Sequence, residues 1–299
     1  MTGAVFPLVP SRRVVGLAFG GMRSARRGRG SDVAGSRPYR PGDDVASIDW
    51  AASARLSSAR GLDEFIVRER FAEESPRVVL VADLGPTMAI GPPPRGRYRK
   101  AVALEAASRL IADSAKAAHG AVGSLDYGDS RPNWRRPRSG AAASPDEERS
   151  FGAPDGSISS ALDFLAQQRR DLPAGTFVFV VSDFLIAPSR EDWQLALGHR
   201  WDVVPVVIQD PLWERAFPDV SGVVVPLTEP RTGAVREVRL TAREAQGRHH
   251  ANQERWKRLL DDFRSVGLIP VVLDSDEPAE IAAAFFRWAD DRLYVRGRG

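Results

Sequence analysis

Short solid runs of apolar residues alternate along this chain with longer stretches whose apolar positions recur every three or four residues. The solid runs are Val78-Val79-Leu80-Val81-Ala82, Phe177-Val178-Phe179-Val180-Val181, residues 203–208 and residues 268–273. Runs of that length, rich in β-branched residues and bounded by turn formers, predict strands buried on both faces, as in a parallel sheet. Residues 120–126 predict one more strand. Between them, residues 97–118, 157–170, 192–198, 241–266 and 277–292 carry helical spacing, as in Ala101, Leu104, Ala107, Leu110 and Ile111. Strands alternating with helices call for an α/β fold, a Rossmann-like, mainly parallel sheet with helices on both faces.

Other patterns fill the gaps. In residues 65–71, Phe65, Val67 and Phe71 alternate with Arg68 and Arg70, which predicts a half-exposed strand pairing antiparallel to the central strand at Val78. Residues 223–227 and 234–240 flank a Gly-containing loop and predict a β-hairpin excursion. Residues 1–36 are rich in glycine, proline and arginine without periodicity, and predict an irregular basic arm. The main domain then runs over 37–292, with a disordered tail at 293–299. Within it, residues 130–154 predict a mobile loop. Ile48 and Trp50 stand out as apolar in a polar stretch, and burial of Trp50 is expected to stabilise the main domain.

Composition narrows the function classes. The chain of 299 residues has 43% hydrophobic and 27% charged residues, ordinary values for a globular protein able to bury a core. Zero cysteines remove disulfides, thiolate metal ligands and thiol catalysis, and agree with a reducing compartment. No apolar run approaches the roughly 20 residues needed to cross a bilayer, and no secretory signal is read at the first residues. A cytoplasmic location is the expectation. The net charge is only +3, but the arginines cluster, as Arg23, Arg26, Arg27 and Arg29, and as Arg131, Arg135, Arg136 and Arg138 around Trp134. Such clusters are either solvated surface or a patch for nucleic acid or anionic lipid.

Candidate chemistry lies at the ends of the buried strands. Asp83 and Asp183 each terminate one, and open α/β sheets bind ligands at the carboxyl ends of their strands. The group Asp43, Asp44 and Asp49 has the carboxylates of a hard-cation site, and equally those of helix caps and ion pairs. The loop at residues 91–96 has the skeleton of a phosphate loop. It continues Arg97-Tyr98 in place of Lys and Ser/Thr, and its prolines remove backbone donors, so no nucleotide phosphate site is read there. His249 and His250 are adjacent on a helix and face apart, which argues against a shared metal.

One set of residues carries a resemblance. Tyr39-x-Pro41-Gly42-Asp43-Asp44, then Ile48-Asp49-Trp50 with Ala54-Arg55, Val67-Arg68, Glu73-Glu74, Val181-Ser182-Asp183-Phe184, Phe217-Pro218-Asp219-Val220 and Ala284-Phe285-Phe286-Arg287 resemble the signature of the family of unknown function 58, DUF58. The resemblance implies a von Willebrand factor A-like domain. In such domains the first strand ends in D-x-S-x-S, and a Thr and a second Asp from other loops complete an octahedral Mg²⁺ site. Here the match is Asp83-Leu84-Gly85-Pro86-Thr87, with the second loop near Gly156-Ser157 and Asp183 in the third position. Asp83, Thr87, Ser157 and Asp183 therefore form a degraded site, at which Mg²⁺ binds weakly or not at all and no cofactor is required. One of the carboxylates is expected to pair with a nearby arginine instead.

The resemblance also implies a MoxR-type AAA+ ATPase as partner, and membrane attachment only through partners. The reading is of a non-enzymatic interaction module, an adaptor or substrate-binding partner of that ATPase. Its rivals are a metal-assisted hydrolase using Asp83, Asp183 or a serine, and a nucleic-acid-binding protein using the arginine clusters. The purified chain alone is expected to hydrolyse no nucleoside triphosphate. A phosphate-release assay checks this, and turnover above background that Asp83→Ala abolishes would contradict it.

Overall fold

The computed structural model describes residues 4–11, 27–39, 48–60, 65–71, 75–90, 98–128, 130–140 and 150–296. The chain divides into two compact units, Arg12–Pro76 and Met1–Ser11 with Arg77–Gly299. The first contains β1 (Arg27–Pro38), α1 (Trp50–Arg60) and β2 (Ile66–Phe71). β1 and β2 pair antiparallel from Pro38 opposite Ile66 to Arg27 opposite Phe71, with register irregularities between Gly28 and Gly35. Asp49 caps α1, its Oδ1 accepting from the Ala52 N–H at 3.0 Å. Buried Ser53 ties the helix to the ribbon: its hydroxyl donates to the Asp49 carbonyl at 2.7 Å and accepts from the Ile66 N–H at 2.8 Å.

The second unit holds the large sheet. It comprises β3 (Arg77–Ala82), α2 (Pro86–Ala89), α3 (Lys100–Ala117), β4 (Ala121–Asp126), β5 (Asn133–Ser139), α4 (Ser157–Gln167), β6 (Phe177–Ser182), α5 (Arg190–Gly198), β7 (Asp202–Ile208), the hairpin β8 (Val224–Thr228) and β9 (Val235–Arg239), α6 (Ala242–Ser265), β10 (Val271–Leu273) and α7 (Pro278–Arg296). The six sheet strands lie in the order β10-β7-β6-β3-β4-β5. All neighbours are parallel except β5, which runs antiparallel to β4. This is the mixed α/β, Rossmann-like architecture that the apolar runs call for. From β3 the chain moves to β4 on one side and then to β6 on the other. The order therefore reverses between β3 and β6, and their carboxyl ends open a crevice.

Burial explains the strand sequences. β6 and β7 are buried along their whole length, and β3 along its four central residues. On one face Phe179, Phe285 and Trp288 gather around Phe6 of the N-terminal segment, with Phe6 and Phe285 centroids 4.7 Å apart. On the other, Phe184, Trp193 and Phe263 pack edge-on or tilted between the sheet and its helices, beside Leu162 and Leu165 of α4. Reciprocal capping boxes start α5, with Ser189 and Asp192, and α6, with Thr241 and Glu244.

Several expectations need correction. Residues 4–11 are no loose arm: Phe6, Leu8 and Val9 are buried, and the Phe6 N–H donates to Ser114 Oγ at 3.0 Å. Arg292 Nη1 donates to the Val9 carbonyl and to Asp202 Oδ1, each at 2.9 Å, while Asp202 Oδ2 accepts from the Ser11 N–H at 2.6 Å. Of the arginines placed in that arm, Arg27 and Arg29 lie in β1, and Arg23 and Arg26 lie outside the described residues. The single domain over 37–292 is likewise two units, with the division at Pro76. β2 pairs with β1, not with the central strand, whose two edges are taken by β4 and β6.

The loop expected over 130–154 contains β5, and the tail expected from 293 continues α7 to Arg296. β5 escapes an apolar-alternation reading because it is an edge strand guarded by arginines and Pro137. It also lies very close to β4: a Cβ on Gly123 would fall 2.5 Å from the Arg135 carbonyl oxygen, so only glycine admits this pairing. Trp50 is 61% exposed and meets Phe65, itself exposed, edge-on at 5.9 Å.

The roles of the two aromatics are thus exchanged. Phe6→Ala should destabilise the protein by about 3–5 kcal/mol, the usual cost of emptying an aromatic core site. Trp50→Ala should cost within about 1 kcal/mol, as for an exposed aromatic pair. Thermal melts of the two variants check this, and a larger loss from Trp50→Ala would contradict it.

Candidate functional site

Parallel pairing of β3 and β6 sets Ala82 beside Val181, so the residues that follow each strand emerge together at the sheet's carboxyl edge. The first of these are Asp83 and, one residue beyond Ser182, Asp183. They line a cleft of about 210 Å³, with Gly85 and Thr87 from the start of α2, Ala153 to Ile158 at the start of α4, Ile186, and Glu229 to Arg231 from the tip of the β8–β9 hairpin. All four positions singled out from sequence, Asp83, Thr87, Ser157 and Asp183, are brought to this one cleft.

Their carboxylates are held by fixed internal bonds. Asp83 Oδ2 accepts from the Ser182 hydroxyl at 2.5 Å and its Oδ1 from the Gly85 N–H at 2.8 Å. Ser182 in turn accepts from the Phe184 N–H at 2.9 Å. Asp183 Oδ1 accepts from the Leu185 N–H at 3.1 Å, and its carbonyl from Gln209 Nε2 at 2.5 Å. Phe184 turns the chain sharply, with φ of 49°, a left-handed conformation that a bulky residue adopts only under constraint. That turn drives the Phe184 ring into the core while Asp183 stays at the crevice.

The partner of Asp183 is Lys100, in the first turn of α3. Its Nζ lies 2.8 Å from Asp183 Oδ2 and 2.6 Å from Glu214 Oε1, and its side chain is 4% exposed. Glu214 Oε2 accepts from the Asp210 N–H at 2.8 Å. The neighbouring anchors hold the entry to α3: the Tyr98 hydroxyl donates to the Leu273 carbonyl at 3.0 Å, and Arg99 Nε pairs with Asp276 at 2.8 Å. Burial works against the ammonium, but Asp183 and Glu214 outweigh it and hold the Lys100 pKa above its ordinary value. Burial raises the Asp83 pKa, with the Ser182 bond opposing and the charge of Asp183 adding to the rise. Burial also raises that of Glu214, and Lys100 offsets part of the effect.

A Mg²⁺ ion does not fit this donor set. The outer oxygen of Asp183 already faces an ammonium, whose charge repels a second cation at short range. Gly85 has no side-chain oxygen to offer, and a Cβ there would begin 3.0 Å from Asp83 Oδ1. Among the described residues no group of three or more Asp, Glu or His is placed to hold a metal ion. The cation that pairs with the site is thus a lysine, where an arginine was expected.

Tyr39, Asp49, Trp50 and Arg55 belong to the unit Arg12–Pro76, whereas Pro41, Gly42, Asp43 and Asp44 fall outside the described residues. Asp49 acts as a helix cap, and Arg55 Nε donates to the Ala51 carbonyl at 3.1 Å. The phosphate-loop-like residues 91–96 also lie outside the described residues. A family model described as a protein of unknown function, DUF58, matches residues 35–258, which takes in the cleft and the signature up to Val220, but not Ala284-Phe285-Phe286-Arg287.

The chain belongs to the DUF58 family.

Two mycobacterial relatives match this DUF58 protein at 26% identity over 219 residues, the uncharacterized proteins Mb1516 of Mycobacterium bovis and Rv1480 of Mycobacterium tuberculosis. Each match takes in 70% of this chain and 64% of the relative, so the chain spans less than two thirds of their length. Among solved structures, BatB from Bacteroides thetaiotaomicron, a conserved hypothetical protein, is 15% identical, with 73% of this chain and 99% of that one covered and a TM-score of 0.36. An aerotolerance-related membrane protein from Bacteroides fragilis is 14% identical, with 72% and 99% covered and a TM-score of 0.37. These two likenesses are too distant to bear on the site. Among the described residues of the DUF58 protein, no helix is long and apolar enough to cross a membrane.

Sequence reasoning missed Lys100, Glu214, Ser182 and Gln209. One signal pointed to the first: Lys100, Lys116 and Lys257 are the only lysines in a chain whose basic residues are otherwise arginine. Removing a buried ion-pair partner strands the charge it faced, so Lys100→Met should cost about 3–5 kcal/mol of stability. Arg109→Ala, which breaks only the exposed pair with Glu105, should cost under about 0.5 kcal/mol. Urea denaturation of both variants measures the contrast, and equal midpoints would contradict it.

Proposed function

We propose that this DUF58 protein is a non-enzymatic interaction module, an adaptor or substrate-binding partner of a MoxR-type AAA+ ATPase, that docks through the cleft at the carboxyl ends of β3 and β6. The observation that carries this reading is that both cleft aspartates have their two oxygens in internal bonds. A general base or nucleophile needs a carboxylate free to take a proton or attack. Here the same carboxylates act as struts that hold three loops in register. This weighs against the hydrolase reading.

The rim of the cleft supports docking. Ile186 is 55% exposed beside Asp155, Glu229 and Arg231, giving an apolar centre with a charged border, the usual anatomy of a protein contact. The ATPase itself is what the family resemblance implies. On this reading the protein works in the cytoplasm, and any attachment to a membrane comes through its partners. The nucleic-acid alternative rests on the arginine clusters, and in the one around Trp134 Arg136 is already paired with Asp171 at 3.2 Å.

Calorimetry with a purified, nucleotide-loaded MoxR-type ATPase tests the proposal. Ile186→Asp should weaken association by about tenfold or more, as for loss of a central apolar contact. Leu293→Asp, at an equally exposed apolar position on α7, should leave it unchanged. No association by the wild type, or equal losses from both variants, would refute docking at the cleft.

A further inference from the structure

A divalent cation would bring two things to this cleft: positive charge against Asp183, and a fixed arrangement of the loops that meet there. Lys100 already supplies both. We infer that the Lys100 ammonium is the resident cation of the site, and that the cleft keeps its shape without a metal. This holds whatever docks at the cleft, so it does not depend on the ATPase reading.

The geometry carries it in three steps. First, every carboxylate oxygen around Lys100 is engaged. Asp183 uses Oδ2 for Nζ and Oδ1 for the Leu185 N–H, and Glu214 uses Oε1 for Nζ and Oε2 for the Asp210 N–H. Second, the ammonium is inside the protein, 4% exposed, and tethered by its own backbone at the start of α3, so it cannot exchange with solvent ions. Third, it does structural work that a metal would do. Lys100 joins the loop after β6, through Asp183, to the turn after β7, through Glu214, and both to α3. A Mg²⁺ ion needs oxygens at about 2.0–2.1 Å in an octahedron. To reach Asp183 it would have to come close to the buried ammonium, whose charge repels it, or share an oxygen with the Leu185 N–H.

A consequence follows for recognition. With no metal to bridge it, a partner's carboxylate would meet Asp83, Asp183 and Glu229, while Arg231, the basic residue of the lining, is already paired with Asp155. Acidic anchors are therefore disfavoured, and contact must be made by apolar, neutral or basic groups.

Metal titrations of the full chain test the inference. In wild type, Mg²⁺ and EDTA should leave the melting temperature unchanged. Mn²⁺, used as a paramagnetic probe, should cause no selective broadening of the Asp83, Thr87, Ser157 and Asp183 amide signals. Lys100→Met strands Asp183 and Glu214 together, so Mg²⁺ and Mn²⁺ should raise its melting temperature and bind it at least about tenfold more tightly than wild type, now as an oxygen-ligand site. Should Lys100→Met fail to fold, the Lys100→Met/Glu214→Gln double variant relieves the stranded pair and is read in the same way. Selective Mn²⁺ broadening or Mg²⁺ stabilisation of the wild type would overturn the inference. So would a folded Lys100 variant with no gain in metal affinity.

Discussion

Two carboxylates delivered to the ends of adjacent parallel strands repel each other unless a positive charge stands with them. β3 and β6 are such strands, and the sheet order that makes them neighbours also makes Asp83 and Asp183 neighbours. The repulsion is not left to solvent, since Asp183 is 2% exposed. Lys100 answers it directly at Asp183. The Ser182 hydroxyl and the Gly85 N–H answer it at Asp83, where the remaining imbalance is seen as a raised pKa caused first by burial. The loops at the cleft are shaped by these bonds. Helix α3 must begin where Lys100 can reach, α2 where Gly85 can donate, and the chain after β6 must turn through a left-handed Phe184.

That turn shows how the core sustains the site. Holding a bulky residue at positive φ costs on the order of 1–3 kcal/mol. The Phe184 ring is buried among Trp193 and Phe263, and burying a ring of this size contributes a comparable amount in the opposite sense. Packing far inside the domain thereby fixes the direction of a carboxylate at its edge. Ser182 links the two, accepting from the Phe184 N–H and donating to Asp83.

What the sequence made legible follows from range. β3, β6 and β7 are legible because a strand buried on both faces needs an unbroken apolar run, which is a local property. The convergence of Asp83 and Asp183 is legible one step further on, because both end such runs. Lys100 and Glu214 are not, because they come to Asp183 from positions 83 and 31 residues away in the chain, a separation that no local pattern reports. β5 was hidden by its arginines, and β1 by its glycines, since neither strand carries the apolar alternation of a half-buried one. Trp50 points in the other direction: its size suggests burial, but only contacts bury a ring, and the aromatic contact made here is with Phe65, itself exposed.

The choice of cation at the two ends of the sheet is itself physical. At the amino end of β7, Asp202 pairs with Arg292, whose guanidinium also reaches the Val9 carbonyl and lies 4.3 Å over the Trp288 ring. A flat, forked group suits that place, because it must stack and donate at once. At the carboxyl end of β6 the cation stands between two carboxylates at 2.8 and 2.6 Å with no ring to stack on. A compact ammonium with three rotatable donors suits that gap. In a chain that uses arginine almost everywhere else, lysine at position 100 stands where one small cation bridges Asp183 and Glu214. The ammonium placed there already brings to Asp183 the positive charge that a divalent ion would supply.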